Sequence, residues 1–313
     1  MILTVTPNPC VDKTLFTGPV QLGAKIRAPR WTCIAGGKGC NVSRAVKVMG
    51  GDTAAMVLVG GATGQHVVDM LEGIDGIPVI PVPVEGLTRT ITTVLEESLH
   101  RQTAFFEPGP QVSEKEHQRF IDLFRDAVSE ASLVTLNGSA PDPGLDGLYR
   151  ELLGIAAAAG VRIILDAYGP IFAAALEARP YMVKPNVEEL EQLVGRSIHT
   201  REEQWQTMAW LHDQGIELVV LSLGAEGALV LSGREQFHVQ PPEIKEINPV
   251  GSGDSLVAGF ALGLTTGMDL ETTATLGVAM GTANAMSWDI ASFTREEVVS
   301  LLPRVTVTRR GDD

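Results

Sequence analysis

The sequence predicts an α/β fold in three layers, a mainly parallel sheet covered by helices on both faces, over 313 residues that form a single domain. Three observations lead there. Short apolar strands alternate with amphipathic helical periods through most of the chain, the pattern that feeds a parallel sheet. Three helix starts carry a capping box, at Ser113 and Glu116, Thr200 and Glu203, and Thr294 and Glu297. Two stretches, about 15–34 and 88–106, break the rhythm with alternating strands and no helix between them. They read as a small antiparallel layer inserted as a lid, although a pair of edge hairpins would give the same pattern.

Along the chain, Met1–Thr6 lacks the basic start of a signal peptide and is short enough to be a first buried strand. Val42, Ala45, Val46 and Met49 follow the spacing of one helical face. Ala54–Val59 is the next strand, and Thr88–Leu95 is rich in the β-branched residues that suit a pleated surface. Leu133–Leu136, Val161–Leu165, Tyr181–Val183 and Glu217–Ser222 continue the strand series. Ser255–Leu262 reads as a helix directly after a glycine-rich turn.

Composition narrows the function. The formal net charge of −14 gives no general attraction to nucleic acid or to an anionic membrane. An anionic ligand must therefore be held by a few local cations and backbone amides. Cys10, Cys33 and Cys40 show no CxxC spacing and read as reduced thiols of a cytoplasmic protein. No apolar run approaches the roughly 18 residues of a membrane span.

Two glycine clusters carry the chemistry. In Asn248-Pro249-Val250-Gly251-Ser252-Gly253-Asp254 the glycines let the backbone turn and aim N–H groups at one point, at the positive end of a helix dipole. Such a nest suits a transferring phosphoryl group, and a carboxylate in the same turn can accept the proton of an attacking hydroxyl. An Asp that only caps a helix is the plainer reading of this turn alone. The second cluster, Gly36-Gly37-Lys38-Gly39-Cys40-Asn41, could hold a polyhydroxy or phosphorylated ligand, or be a simple strand-to-helix turn. Leu256 stands where a GxGxxG fingerprint needs its third glycine, and Gly39 follows Gly37-Lys38 where a Walker A motif needs Ser or Thr. A dinucleotide oxidoreductase and a P-loop enzyme both lose ground.

Together the clusters resemble the two signatures of the PfkB carbohydrate kinases, which have the ribokinase-like fold. The resemblance runs through Thr6–Asp12, Thr88–Thr90, Glu107–Pro110, Asn137–Pro141, Lys184–Leu190 and Ser222–Ala228, in the family's order. It implies that Asp254 is the base and that Gly251, Ser252 and Gly253 complete the anion hole. Asn186 and Glu189 match an Asn-x-x-Glu motif that helps place Mg²⁺, largely through water; a helix cap at Asn186 is the bland alternative. Lys184, Ser222, Gly224 and Gly227 fall on the ATP side, and Asn284 matches an adenine-side position. Asp12, Gly37 and Asn41 match the sugar pocket, while Lys38, Arg89, Arg27 and Ser139 match positions that bind a phosphate already on the sugar.

A desolvated cation without an anion is costly, so these basic residues favour a sugar phosphate as acceptor over a neutral sugar or nucleoside. The implied reaction is in-line transfer from Mg·ATP to a ketohexose phosphate: tagatose 6-phosphate, fructose 1-phosphate or fructose 6-phosphate. Asn248–Asp254 is similar to the tagatose-6-phosphate kinase version, and Gly60–Gly64 is closer to the minor 6-phosphofructokinase. Tyr168, in Asp166-Ala167-Tyr168-Gly169, departs from the family's Asp-x-Ser-Gly and could reshape a pocket edge. The resemblance also implies a homodimer through the lid. A regulator that binds sugar phosphate without catalysis is the rival from another class, and the retained Asp254 and glycines weigh against it.

Overall fold

A computed structural model describes residues 1–99 and 101–311. β1 (Ile2–Thr6) leads through β2 (Cys10–Thr17) and β3 (Arg30–Gly36) to α1 (Lys38–Val48). β4 (Thr53–Val59), α2 (Gly61–Gly73) and β5 (Val79–Pro83) follow, then β6 (Arg89–Glu96), β7 (Arg101–Phe106) and α3 (Glu114–Val128). The next stretch runs β8 (Leu133–Asn137), α4 (Leu148–Ala158), β9 (Ile163–Asp166), α5 (Pro170–Leu176), β10 (Met182–Val183) and α6 (Val187–Val194). After α7 (Arg201–Asp213) come β11 (Leu218–Ser222), β12 (Ala228–Ser232) and β13 (Glu235–Gln240). The chain closes with α8 (Ser252–Thr266), α9 (Leu270–Ala285), α10 (Arg295–Leu301) and β14 (Thr306–Arg309).

Ten strands form one sheet in the order β14-β13-β12-β11-β10-β9-β8-β1-β4-β5. Every pairing from β11 through β5 is parallel, and the β11–β14 end is antiparallel. Side chains of a strand alternate between faces, and the two cores follow that period. Val219 and Leu221 join Phe120, Tyr149, Leu190 and Met208 on the α3–α7 side. Leu218 and Val220 join Val42, Phe260, Met280 and Val298 on the α1, α8–α10 side. The three-layer α/β/α expectation is met.

All three expected capping boxes form, and a fourth closes Asn186 onto Glu189. β3, β2, β6 and β7 make the small second sheet, in that order. Its outer pairings are antiparallel and its central β2–β6 pairing is parallel. Its first half spans Cys10–Gly36, starting earlier than residue 15. Pro7-Asn8-Pro9 masks that start in the sequence, because proline breaks the alternating pattern. No helix among the described residues is long and apolar enough to cross a membrane.

α8 and α9 pack so closely that a methyl group at Gly259 would lie 2.5 Å from Gly277 Cα. Backbone cannot yield as a side chain can. Gly259→Ala is expected to lower unfolding free energy by about 1–3 kcal/mol in urea titrations. Gly154→Ala on α4, where the new methyl meets nothing within 4 Å, is expected to raise it by about 0.5–1 kcal/mol.

Candidate active site

The polar residues gather at the carboxyl ends of the parallel strands, where an open α/β sheet forms its crevice. Asp166 ends β9, Lys184 follows β10, Ser222 ends β11 and Asn137 ends β8. α1 and α8 bring their N-termini to the same place, carrying Lys38, Asn41 and Asp254.

Gly251 caps α8 with φ 83°, a left-handed conformation that suits glycine. Ser252 N bonds back to Pro249 O and Ser255 N bonds to Gly251 O. Among the described residues the amides of Gly253 and Asp254 have no backbone partner outside the helix, and they are too near its start for one inside. Asn284 holds this turn. It is buried, its Nδ2 donates to Val250 O at 2.8 Å and Ser252 Oγ at 3.2 Å, and its Oδ1 accepts from Ala291 N. Its Nδ2 is thus spent on the loop that carries the amides, and its Oδ1 on the segment after α9.

Asp254 is buried, and its Oδ2 accepts from Asn41 Nδ2 at 2.7 Å. Burial and the neighbouring Asp166 carboxylate push it up to about 6, against the pull of Lys38, the Asn41 hydrogen bond and Lys184. Asp166 is 1% exposed, and its Oδ1 takes Lys38 Nζ at 3.0 Å and Lys184 Nζ at 3.2 Å. Burial raises its pKa, yet Lys184 and Lys38 together hold it below the usual carboxylate range. Lys38 also reaches Glu189 Oε1 at 3.3 Å. Burial works against its charge, but Asp166, Glu189 and Asp254 outweigh that and keep it protonated.

Asn186 and Glu189 form the capping box that was the bland alternative. Glu189 N donates to Asn186 Oδ1 at 2.8 Å and Asn186 N donates to Glu189 Oε2 at 2.9 Å. Glu189 Oε1 nevertheless points to Lys38 and so into the site. Asp166 Oδ2 is buried without a partner among the described residues. One orphaned carboxylate oxygen and one partly engaged carboxylate fit a hydrated Mg²⁺ held chiefly by phosphates and water, the usual habit of that ion.

On the lid side, a cleft of about 60 Å³ opens between Asp12, Thr14, Thr32 and Thr93 and the Asn248–Val250 turn. Burial raises the pKa of Asp12, while Arg44 and Arg89 pull it back. A wider groove of about 690 Å³ follows the free edge of β3, lined by Trp31, Arg44, Met70 and Asp75. It reaches none of Asp254, Lys38 or Asp166, so its size marks the lid's edge and not the chemistry.

Arg89 follows Thr88, whose Oγ1 accepts from Gly60 N at 2.9 Å and whose carbonyl accepts from Thr63. Arg89 Nη2 donates to Asn8 O at 3.1 Å, and its buried Nε has no partner among the described residues. Ser139 Oγ lies between Asn8 Nδ2 and the Tyr168 hydroxyl, each at 3.3 Å. The Tyr168 ring stands 5.5 Å from Lys38 Nζ. Gly37 has φ 117° and sits against Thr6 and Pro9. Ser222 and the Gly224–Gly227 turn extend from β11, and at Gly227 a methyl would collide with Val239 O. Arg27 lies exposed in the loop between β2 and β3 and joins none of these groups.

Asp166 was quoted in the sequence only for its neighbour Tyr168. A carboxylate after Ile163-Ile164-Leu165, at the carboxyl end of a buried strand, is the signal that could have found it. Arg44 was visible as a cation three residues after Asn41 on the otherwise apolar α1 face.

A buried carboxylate with raised pKa, two amides at a helix N-terminus that have no backbone partner among the described residues, and two lysines beside them suit the chemistry of a phosphotransferase. Residues 6–287 match the family described as pfkB family carbohydrate kinase. The 1-phosphofructokinase of Bacillus subtilis (strain 168) is 34% identical over 309 residues, covering 99% of this chain and 100% of its own. The tetrameric inhibited form of phosphofructokinase-2 from Escherichia coli superposes with a TM-score of 0.90 at 30% identity, covering 97% of this chain and 98% of that one. The same enzyme in complex with fructose-6-phosphate gives 0.87 at 29% identity and the same coverage. The chain belongs to the PfkB family of carbohydrate kinases.

Asp166→Asn removes the shared partner of the buried Lys184 and the half-buried Lys38. It is expected to cost roughly 3 kcal/mol of stability in urea unfolding. The same change should move the titration of Asp254 below about 6, because the Asp166 charge is the second-largest cause of its elevation. A carboxyl ¹³C titration reads that shift.

Proposed function

We propose that this chain transfers the terminal phosphoryl group of Mg·ATP to a hydroxyl of a ketohexose phosphate, giving a hexose bisphosphate. The observation that carries the acceptor class is Arg89. Its guanidinium has no carboxylate partner among the described residues, and its buried Nε is unsatisfied. A phosphate on the sugar supplies the missing acceptor. Ser139 and Asn8 stand beside it as polar neighbours, and Asp12 accepts sugar hydroxyls from the lid side. The 1-phosphofructokinase relative supports fructose 1-phosphate as the first acceptor to assay, before fructose 6-phosphate and tagatose 6-phosphate.

ATP with its Mg²⁺ supplies the phosphoryl group and much of the charge neutralisation. Asp254 takes the proton of the attacking hydroxyl. The Gly253 and Asp254 amides and the α8 dipole face the developing charge. Lys184 Nζ lies over Gly253, near 3.5 Å from where a side chain would begin. In this reading Asn186 and Glu189 would hold waters of the ion. The β2–β3 and β6–β7 sheet covers the acceptor and excludes water. A reducing cytoplasm suits the free thiols Cys10, Cys33 and Cys40. Exposed Trp31, Phe105 and Phe106 on the lid support a homodimer that covers them.

Asp254→Asn is expected to lower kcat by at least ~10²-fold with little change in acceptor binding. For the native enzyme, kcat/KM should fall as pH drops through about 6, where the base becomes protonated; a flat profile from pH 5 to 8 would sink the assignment. Arg89→Ala should raise the KM for the phosphorylated sugar at least tenfold and spare the KM for ATP. Assaying fructose 1-phosphate, fructose 6-phosphate, tagatose 6-phosphate and the free sugars under one ADP-release assay decides the acceptor. Equal turnover of an unphosphorylated sugar overturns the Arg89 argument.

A further inference from the structure

Asn41 lies between two charges that dictate its orientation. Its Nδ2 donates to Asp254 Oδ2 at 2.7 Å, and its Oδ1 accepts from Arg44 Nη1 at 3.1 Å. Turning the amide over would set its oxygen against a carboxylate and its NH₂ against a guanidinium, so both contacts would become repulsive. Arg44 is in turn fixed by three further bonds. Its Nη2 donates to Ala35 O at 3.0 Å and to Asp75 Oδ2 at 2.8 Å, and its Nε donates to Asp75 Oδ2 at 3.1 Å. Asp75, in the turn after α2, is anchored through its own amide to Met70 O. Asp254, Asn41 and Arg44 are all buried, where charge-assisted hydrogen bonds are strong and an unpaired partner is costly.

We propose that Arg44, held by Asp75, is a positioning residue for phosphoryl transfer, locking the Asn41 amide in the one orientation that presents its N–H to Asp254. Neither residue touches a reacting atom. Their effect reaches the base through a single side chain, and that makes it separable from ordinary packing. Around Asp254 the other charged groups are Asp166 from β9, Lys184 after β10 and Lys38 from α1; Arg44 faces Asp12 on β2 as well. The contribution through Asn41 pulls the Asp254 pKa down. If Arg44 is lost the amide is free to turn, the pKa rises further, and the acid limb of kcat moves to higher pH.

The inference rests on Asp254 as the base, and a double-mutant cycle tests the two separately. Saturating kcat and its pH profile are measured for Arg44→Met, Asn41→Ala and the double variant; saturation removes any effect of Arg44 on Asp12 and acceptor binding. Arg44→Met is expected to lower kcat between about twofold and a hundredfold and to raise its acid limb. Added to Asn41→Ala, it should do neither, because the lever it acts through is gone. Losses that multiply in the double variant overturn the proposal. Should Arg44→Met fail to fold, Asp75→Ala takes its place in the cycle, with a smaller loss expected and the same non-additivity required. Normal turnover in Asp254→Asn would remove the base reading itself. An inactive Asp254→Asn with multiplicative losses in the cycle removes only the relay.

Discussion

The site depends on one buried carboxylate shared by two ammonium groups. Asp166, at the end of β9, ties Lys38 of α1 to Lys184 beyond β10. Removing charge from water costs several kcal/mol per ion unless partners restore it, so the three groups hold one another in place. Glu189 draws on Lys38 as well, and Asp254 feels both lysines. Three carboxylates thus divide two positive charges, and the balance leaves one of them undercompensated. Asp254 is that one, and its raised pKa follows first from burial and then from the neighbouring Asp166 charge. A base must hold a proton weakly enough to release it and strongly enough to accept it near neutral pH. At about 6, Asp254 lies in the range that the proposed base role requires.

Backbone topology explains why residues so far apart in sequence can share charges. Parallel strands point their carboxyl ends the same way, so the ends of β1, β8, β9, β10 and β11 form one rim. Helices that follow or precede those strands add their N-termini, which carry unsatisfied amides and positive dipole ends. The lid arises by a different device. Two segments leave the α/β rhythm and meet through the parallel β2–β6 pairing, which puts Asp12 beside the residues after Thr88. Gly60, Thr63 and Thr88 then fix where Arg89 begins.

Much of this was legible in the sequence. Alternating strands and helices gave the three layers, capping boxes marked three helix starts, and the two glycine clusters located both halves of the crevice. Lys38 was less legible. Its glycine-rich setting resembled a phosphate cradle, whereas the structure shows it already paired with Asp166 and Glu189. No local pattern reveals a partner 128 residues away. Asn186 shows the opposite limit, since the cap and the ion-placing readings were posed as alternatives. Glu189 uses one carboxylate oxygen for the cap and turns the other toward Lys38, so forming the cap does not withdraw this side chain from the site. Arg27 belonged to a motif match, but a loop outside both sheets gives it nothing to lean on.

Comparing Lys38 with Arg89 clarifies what a basic residue in such a crevice can do. Lys38 has its charge largely answered by carboxylates, so an incoming anion would have to compete with them. It serves better as scaffold and as screen for charge near Asp254. Arg89 has a different environment: a carbonyl at one nitrogen, a buried nitrogen with no partner, and Asp12 near enough to feel its charge. Ground-state occupancy by an anion would relieve that unsatisfied donor. The two cations were equivalent when read from sequence, both simply basic residues in suggestive motifs. Three-dimensional neighbours separate them into one committed charge and one held in reserve, and it is on the reserve that the proposed choice of a phosphorylated substrate rests.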